Sequence, residues 1–262
     1  MGTALRRRGL SAERFPEEWI RERPQEIEAV HAEHVRAGAQ VLLTCTFNAA
    51  RLEAREIGDD VESLCRRAVA LARSPGPTLV AGCVGATGLV RGDGAGPDDG
   101  ELRDRFERPF RALAAAGVDL LWTETHVALR EARAALAAAR RAGRPAAATM
   151  HFRAGPGGME ALDGTPAEEC LAALWRDRAC AVGANCADPG APLAALAARG
   201  VARAGVPVIV KPSAGTPARP LPPEAFAAAT WPAIRAGARL FGGCCGAGPA
   251  HLRALAAAAR RA

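Results

Sequence analysis

Seven times along this chain a short, nearly continuous apolar run gives way to a turn and then to an alanine-rich amphipathic segment. The apolar runs cover residues 40–47, 78–85, 118–125, 145–152, 180–186, 207–211 and 239–244. Their length and unbroken hydrophobicity suit strands buried on both faces. Segments 25–37, 61–72, 102–116, 129–142, 167–178, 193–204, 223–234 and 250–261 carry apolar residues at helical spacing. Strand and helix in alternation imply a parallel sheet with helices outside it. Gly38, Gly117, Gly143, Gly200 and Gly237 stand at or near expected helix ends. Thr165-Pro166-Ala167-Glu168 reads as a capping threonine followed by proline at the first helical position.

The rhythm predicts an α/β fold, a (β/α)8 TIM-type barrel forming one domain over residues 1–262. The length of 262 residues suits one such barrel, which runs to roughly 250 residues. The first helix has no apolar run before it. Either the sheet is open, or the first strand is missing at the N-terminus, and the second alternative is the expectation carried forward. Residues 91–100 (RGDGAGPDDG) read as a mobile loop at the sheet's mouth.

Composition narrows the function classes. No stretch of about 18 residues lacks charge, which argues against a transmembrane helix. The arginines Arg6 to Arg8 are followed by no apolar run and do not form a secretory signal. A cytoplasmic location is therefore expected. The net charge of +6 comes almost wholly from scattered arginines, Lys211 being the one lysine, and tyrosine is absent. Without a basic stripe or stacking aromatics, no nucleic-acid partner is expected.

Eight cysteines in a chain too large to need disulfide staples point to metal or catalytic roles. Cys186 closes one apolar run, and Cys244 and Cys245 close another, with Gly242, Gly243 and Gly246 around the pair. All three fall at C-terminal strand ends, the face on which barrel enzymes build their sites. Three thiolates suit zinc, and three protein ligands leave a fourth position open. An isolated Cys-Cys pair is more often core than ligand. The third cysteine and the glycines reverse that balance.

The segments GANC (183–186) and GGCCG (242–246) resemble the zinc motifs of the homocysteine S-methyltransferase family. MGTALRRRG (1–9), TCTF (44–47), AGVDLLWTET (116–125), LDGTP (162–166) and KPSAG (211–215) extend the resemblance over essentially the whole chain. It implies a barrel, zinc on Cys186, Cys244 and Cys245, and homocysteine as methyl acceptor. It also implies that Glu124 contacts the substrate's amino group. Glu124 closes a buried run at the expected active face, where a carboxylate can pair with an ammonium. Thr44 and Asn185 are placed with it as substrate contacts. The family's Asp-Gly pair before the segment at Met1 is lacking. Cys45 and Ser213 stand where the family usually has asparagine.

The expected reaction is zinc-dependent methyl transfer from a small onium donor to L-homocysteine, giving methionine. S-methylmethionine or S-adenosylmethionine is favoured, because the chain has no room for separate folate and cobalamin domains. The alternatives are a module working with a separate corrinoid protein, or a truncated, non-catalytic barrel. His126 and His151 follow strand ends and could assist proton removal. Cys65, Cys83, Cys170 and Cys180 read as core, and Cys45 as a spare thiol near the metal. No oligomeric state is predicted.

Overall fold

The computed structural model describes residues 1–54, 60–204, 206–216 and 219–260. Its main sheet has seven strands: β1 (Val41–Leu43), β2 (Leu79–Gly85), β3 (Leu120–His126), β4 (Ala146–Met150), β5 (Ala181–Asn185), β6 (Val208–Lys211) and β7 (Leu240–Phe241). They lie side by side in chain order, and every pairing is parallel. A closed barrel of this type has eight strands. Among the described residues β1 and β7 are the two edges. Two small antiparallel ribbons, one at 153–160 and one pairing 215–216 with 219–220, decorate the loops after β4 and β6.

Eight helices accompany the strands. They are α1 (Pro24–Arg36), α2 (Val61–Arg73), α3 (Asp99–Ala115), α4 (Leu129–Arg141), α5 (Ala167–Arg176), α6 (Ala191–Ala204), α7 (Pro223–Arg235) and α8 (Pro249–Arg260). Each lies within a few residues of its predicted segment; Arg261, the last expected residue of α8, lies outside the described residues. Short helical turns at Gly2–Arg7, Trp19–Glu22 and Ala49–Ala54 were not anticipated. They are too brief to show a period.

Capping chemistry sets the helix starts. Asp98 accepts from the backbone N–H groups of Gly100 and Glu101, so part of the loop 91–100 serves to open α3. Asp60 does the same for α2 through Glu62. Thr165 does not cap α5; Pro166 takes that position without a side-chain bond. Gly200 is not a helix end either. It lies inside α6, where a Cβ would come within 3.2 Å of Val208 on β6, so glycine permits the close approach.

Alternate residues of each strand face one another across the sheet. Ala81, Trp122, Ala147, Ala181 and Ile209 form a single buried cluster, joined by Val41 and Leu43 of β1 and Leu240 of β7. Side chains from both edge strands can meet in one cluster only if the sheet curls. The larger core lies outside, between strands and helices, and includes Phe106, Phe110, Leu113, Leu136 and Leu174. Small residues dominate the inner face, which leaves Trp122 to fill its centre.

Candidate active site

Moving up the inner face toward the C-terminal strand ends, apolar residues give way to polar ones. Two positions beyond Ala81 stands Cys83; beyond Trp122 stands Glu124; beyond Ile209 stands Lys211. Strand register sets Asn185 beside Lys211 and Gly85 beside Glu124. The inward stripes therefore end in a polar mouth.

The cysteines meet at this mouth. The Sγ atoms of Cys186, Cys244 and Cys245 all lie within 4.8 Å of one another. Cys186 is 2.7 Å from Cys244 and 3.5 Å from Cys245. Four ligands about 2.3 Å from a tetrahedral ion stand roughly 3.8 Å apart; the Cys186–Cys245 separation is close to that, while Cys186 and Cys244 are nearer than a shared ion would hold them. Cys186 and Cys244 are half-buried and Cys245 is exposed, which leaves an approach from solvent. Hydrogen bonds from Cys186 and Cys244 hold the Cys245 thiol down to about 3, while Cys186 is pushed far up by the same contacts.

Backbone geometry makes the convergence possible. Strand alternation alone would turn Cys186 away from the inner face that Asn185 occupies. Cys186 instead adopts φ +56°, a left-handed conformation that costs a non-glycine residue of order 1–2 kcal/mol. Its N–H bonds the carbonyl of Lys211 at 3.1 Å. β7 ends at Phe241, earlier than predicted, so Cys244 and Cys245 lie in a turn and escape strand alternation. That turn is bound to the segment after β6: Cys244 N–H donates to Pro212 O (2.8 Å) and Ala214 N–H to Cys245 O (2.7 Å). Gly246 has φ +77°, and a Cβ there would come within 2.9 Å of the carbonyls of Ala214 and Gly215. Only glycine closes this turn.

Asn185 is fully buried and binds two neighbours. Its Oδ1 accepts from Thr125 N–H at 3.1 Å; its Nδ2 donates to Thr125 Oγ1 at 2.5 Å and lies 3.7 Å from Cys244 Sγ. Thr125 is itself left-handed, at the irregularity where β3 slips against β4. Glu124 pairs with the ammonium of Lys211 and accepts from Cys83 Sγ at 3.3 Å. The Lys211 ammonium stands 5.0 Å from the centre of the Trp122 ring. Burial works against the Lys211 charge, but Glu124 and then Cys244 outweigh it and hold its pKa above the ordinary value. Burial, with Glu124 alongside, pushes the Cys83 thiol well up, so Cys83 acts as a neutral donor. Thr44 Oγ1 accepts from Cys83 N–H at 3.0 Å and pairs with Thr46 Oγ1 at 2.6 Å, one residue removed from Glu124.

Other expectations resolve differently. Cys83, read as inert core, touches Glu124. Cys180, read the same way, is exposed just before β5. Cys45 is buried in the outer core rather than near the thiol cluster. Cys65 and Cys170 are core, as read. His126 is fully buried and stacks edge-on against Phe106, turned from the mouth by the same slip that bends Thr125. His151 remains close, with Nδ1 3.2 Å from the carbonyl oxygen of Cys186. Lys211 stands out in the sequence as the one lysine and as part of KPSAG, but nothing in its local sequence announces an ion pair.

The described residues include no helix long and apolar enough to cross a membrane. The model of the homocysteine S-methyltransferase family matches residues 1–259, and the chain belongs to that family. Among its relatives is the S-methylmethionine–homocysteine S-methyltransferase BHMT2 of Pongo abelii, 28% identical over 96% of this chain and 74% of that one. The betaine–homocysteine S-methyltransferase 1 of Mus musculus is 30% identical, over 97% and 69% respectively. The crystal structure of the homocysteine methyltransferase MmuM from Escherichia coli, in its metallated form, superposes with a TM-score of 0.80 at 29% identity. That match covers 98% of this chain and 93% of MmuM, so the curled parallel sheet is the barrel-like fold of a homocysteine methyltransferase.

Proposed function

We propose that this chain, as one barrel domain spanning 1–262, transfers a methyl group from a small sulfonium donor to the thiol of L-homocysteine, giving methionine. S-methylmethionine or S-adenosylmethionine is the donor. The acceptor sulfur attacks the methyl carbon, the carbon–sulfonium bond breaks with its pair returning to the donor sulfur, and the thiol proton leaves to solvent. The observation that carries this reading is the three-sulfur cluster at the open mouth, next to the carboxylate of Glu124.

Cys186, Cys244 and Cys245 are the residues that would hold zinc. When bound, zinc supplies a Lewis acid that lowers the acceptor thiol's pKa, and three thiolate ligands leave that sulfur electron-rich. Asn185 steadies the site by locking Thr125 and contacting Cys244. Glu124 receives the substrate ammonium. Thr44 fixes the backbone of Cys83, and through it the wall behind Glu124. The curled sheet shields the mouth from below and aligns acceptor and donor. Free thiols in this number suit a reducing compartment and support a cytoplasmic location.

Metal analysis of the purified protein tests the site. The expected result is about one zinc per chain, lost in a Cys244→Ala/Cys245→Ala double variant that remains folded. Transfer of labelled methyl from each sulfonium to homocysteine then tests the reaction. A folded protein that retains zinc but accepts methyl from neither donor would remove the donor assignment.

A further inference from the structure

The sole lysine of the chain lies on the inner face, at the mouth, against the carboxylate that faces the substrate. Buried ion pairs rarely stabilise a fold more than apolar side chains of similar size would. The positions beneath this pair, Trp122 and Ile209, are apolar and pack well without charge. The Glu124–Lys211 pair is therefore hard to explain as a stabilising device. It is also not sealed: the two side chains keep 11% and 13% of their surface exposed. Lys211 is joined to the cysteine cluster through its own carbonyl, which accepts from Cys186 N–H. The ammonium is also within electrostatic reach of Cys244, and the carboxylate of Cys245, so the three kinds of group neighbour one another.

We infer that Lys211 is a specificity-determining residue, which takes the α-carboxylate of the acceptor while Glu124 takes its α-ammonium. This rests on the homocysteine reading above. The free protein holds its own charges against each other. An amino-acid zwitterion carries both complementary charges on one carbon, so its entry exchanges each protein partner for a ligand partner and leaves no buried charge unpaired. The acceptor sulfur, two carbons further along, is then directed toward Cys186, Cys244 and Cys245. An aminothiol without a carboxylate satisfies Glu124 but strands the Lys211 ammonium in a largely dry setting, which is strongly unfavourable. The pair thereby selects amino-acid thiols over simple amines of the same length. Trp122, beneath the Lys211 ammonium, limits its alternative positions.

The test compares L-homocysteine with 3-amino-1-propanethiol, which is the same molecule without its carboxylate. Binding to the zinc-loaded protein is measured by titration calorimetry, and KM by methyl transfer. The wild-type protein is expected to prefer homocysteine by roughly 100-fold or more, the scale on which an unpaired buried charge is penalised. Lys211→Met is expected to weaken homocysteine binding and bring the two thiols within about threefold, with Lys211→Arg restoring part of the preference. If Lys211→Met fails to fold by circular dichroism, Lys211→Gln takes its place in the same comparison. An unchanged ratio, with both thiols weakened alike, would assign Lys211 to structure alone and overturn the inference. So would a wild-type ratio near one. A folded, zinc-loaded wild-type protein that binds neither thiol would overturn the homocysteine reading itself, and the inference with it.

Discussion

Two glutamates seven positions apart, Glu124 and Glu131, are both buried, and they are held in opposite ways. Glu131, in the first turn of α4, is 1% exposed. It accepts from the backbone N–H and the hydroxyl of Thr87, at 2.9 and 2.6 Å, and faces His126 Nδ1 at 3.4 Å. Burial would raise its pKa; His126 and the Thr87 bonds outweigh that and keep it below the usual carboxylate range. Each donor is a short, fixed group. Glu124 instead has a thiol and the end of a flexible lysine side chain. Rigid donors make Glu131 a staple between the β2–α3 connection and α4. An exchangeable cation leaves Glu124 ready to change partners. Burial alone does not separate these two acids; the nature of their partners does.

The contrast can be broken by substitution. Glu131→Ala strands Thr87 N–H, its hydroxyl and His126 in a dry core and is expected to cost about 3–5 kcal/mol of stability, read by denaturant unfolding. Any homocysteine-binding defect should then scale with the unfolded fraction. Glu124→Gln reverses the pattern. It should cost less stability, about 1–2 kcal/mol, because the glutamine carbonyl can still accept from the Lys211 ammonium. Homocysteine affinity should fall by about 2–3 kcal/mol, the value of a charge-assisted bond, measured calorimetrically. If the two variants exchange these phenotypes, the distinction collapses.

A third acid-sensitive group sharpens the picture. His31 on α1 is buried, and desolvation, helped by nearby positive charge, lowers its pKa from 6.5 to about 3. The folded state therefore prefers neutral His31. Its contribution is fully present above pH 6.5 and is lost as pH falls from there toward 3, at up to about 1.4 kcal/mol per unit. Unfolding at pH 5 should thus be easier than at pH 7.5 by about 2 kcal/mol from this group, and His31→Leu should flatten that segment of the profile. Glu131 acts lower: its depressed pKa adds stability above its unfolded value of 4.5, lost as pH falls through its folded value. Glu131→Gln should remove that acid limb while leaving the His31 limb in place. The smallest effect is expected from Thr87→Val, which removes the hydroxyl's bond to Glu131 and the one it accepts from Leu89 N–H and should cost about 1–2 kcal/mol, with homocysteine binding unaffected.

Much of this molecule was legible before its fold was described. Runs such as 78–85 and 118–125 became β2 and β3 almost residue for residue, because an apolar run flanked by glycine and helix signals has few other uses. The cysteines were legible because Cys-Cys among glycines is rare in ordinary core. β7 is shorter than expected: residues 240–244 carry no charge, but the bonds to Pro212 and Ala214 pull the cysteines into a turn.

Periodicity, composition and the cysteine motifs are local properties, and from them the sequence by itself determined the parallel β/α order and the three metal-ligand candidates. What each polar side chain meets is not local. Lys211 finds Glu124 across 87 positions, Glu131 finds Thr87 across 44, and Cys83 finds Glu124 across 41. The slip after Thr123 sends His126 outward and leaves Glu124 facing in. Only the curled sheet decided these pairings, because strand parity and curvature set which charges share an interior, and no short window of residues contains that information.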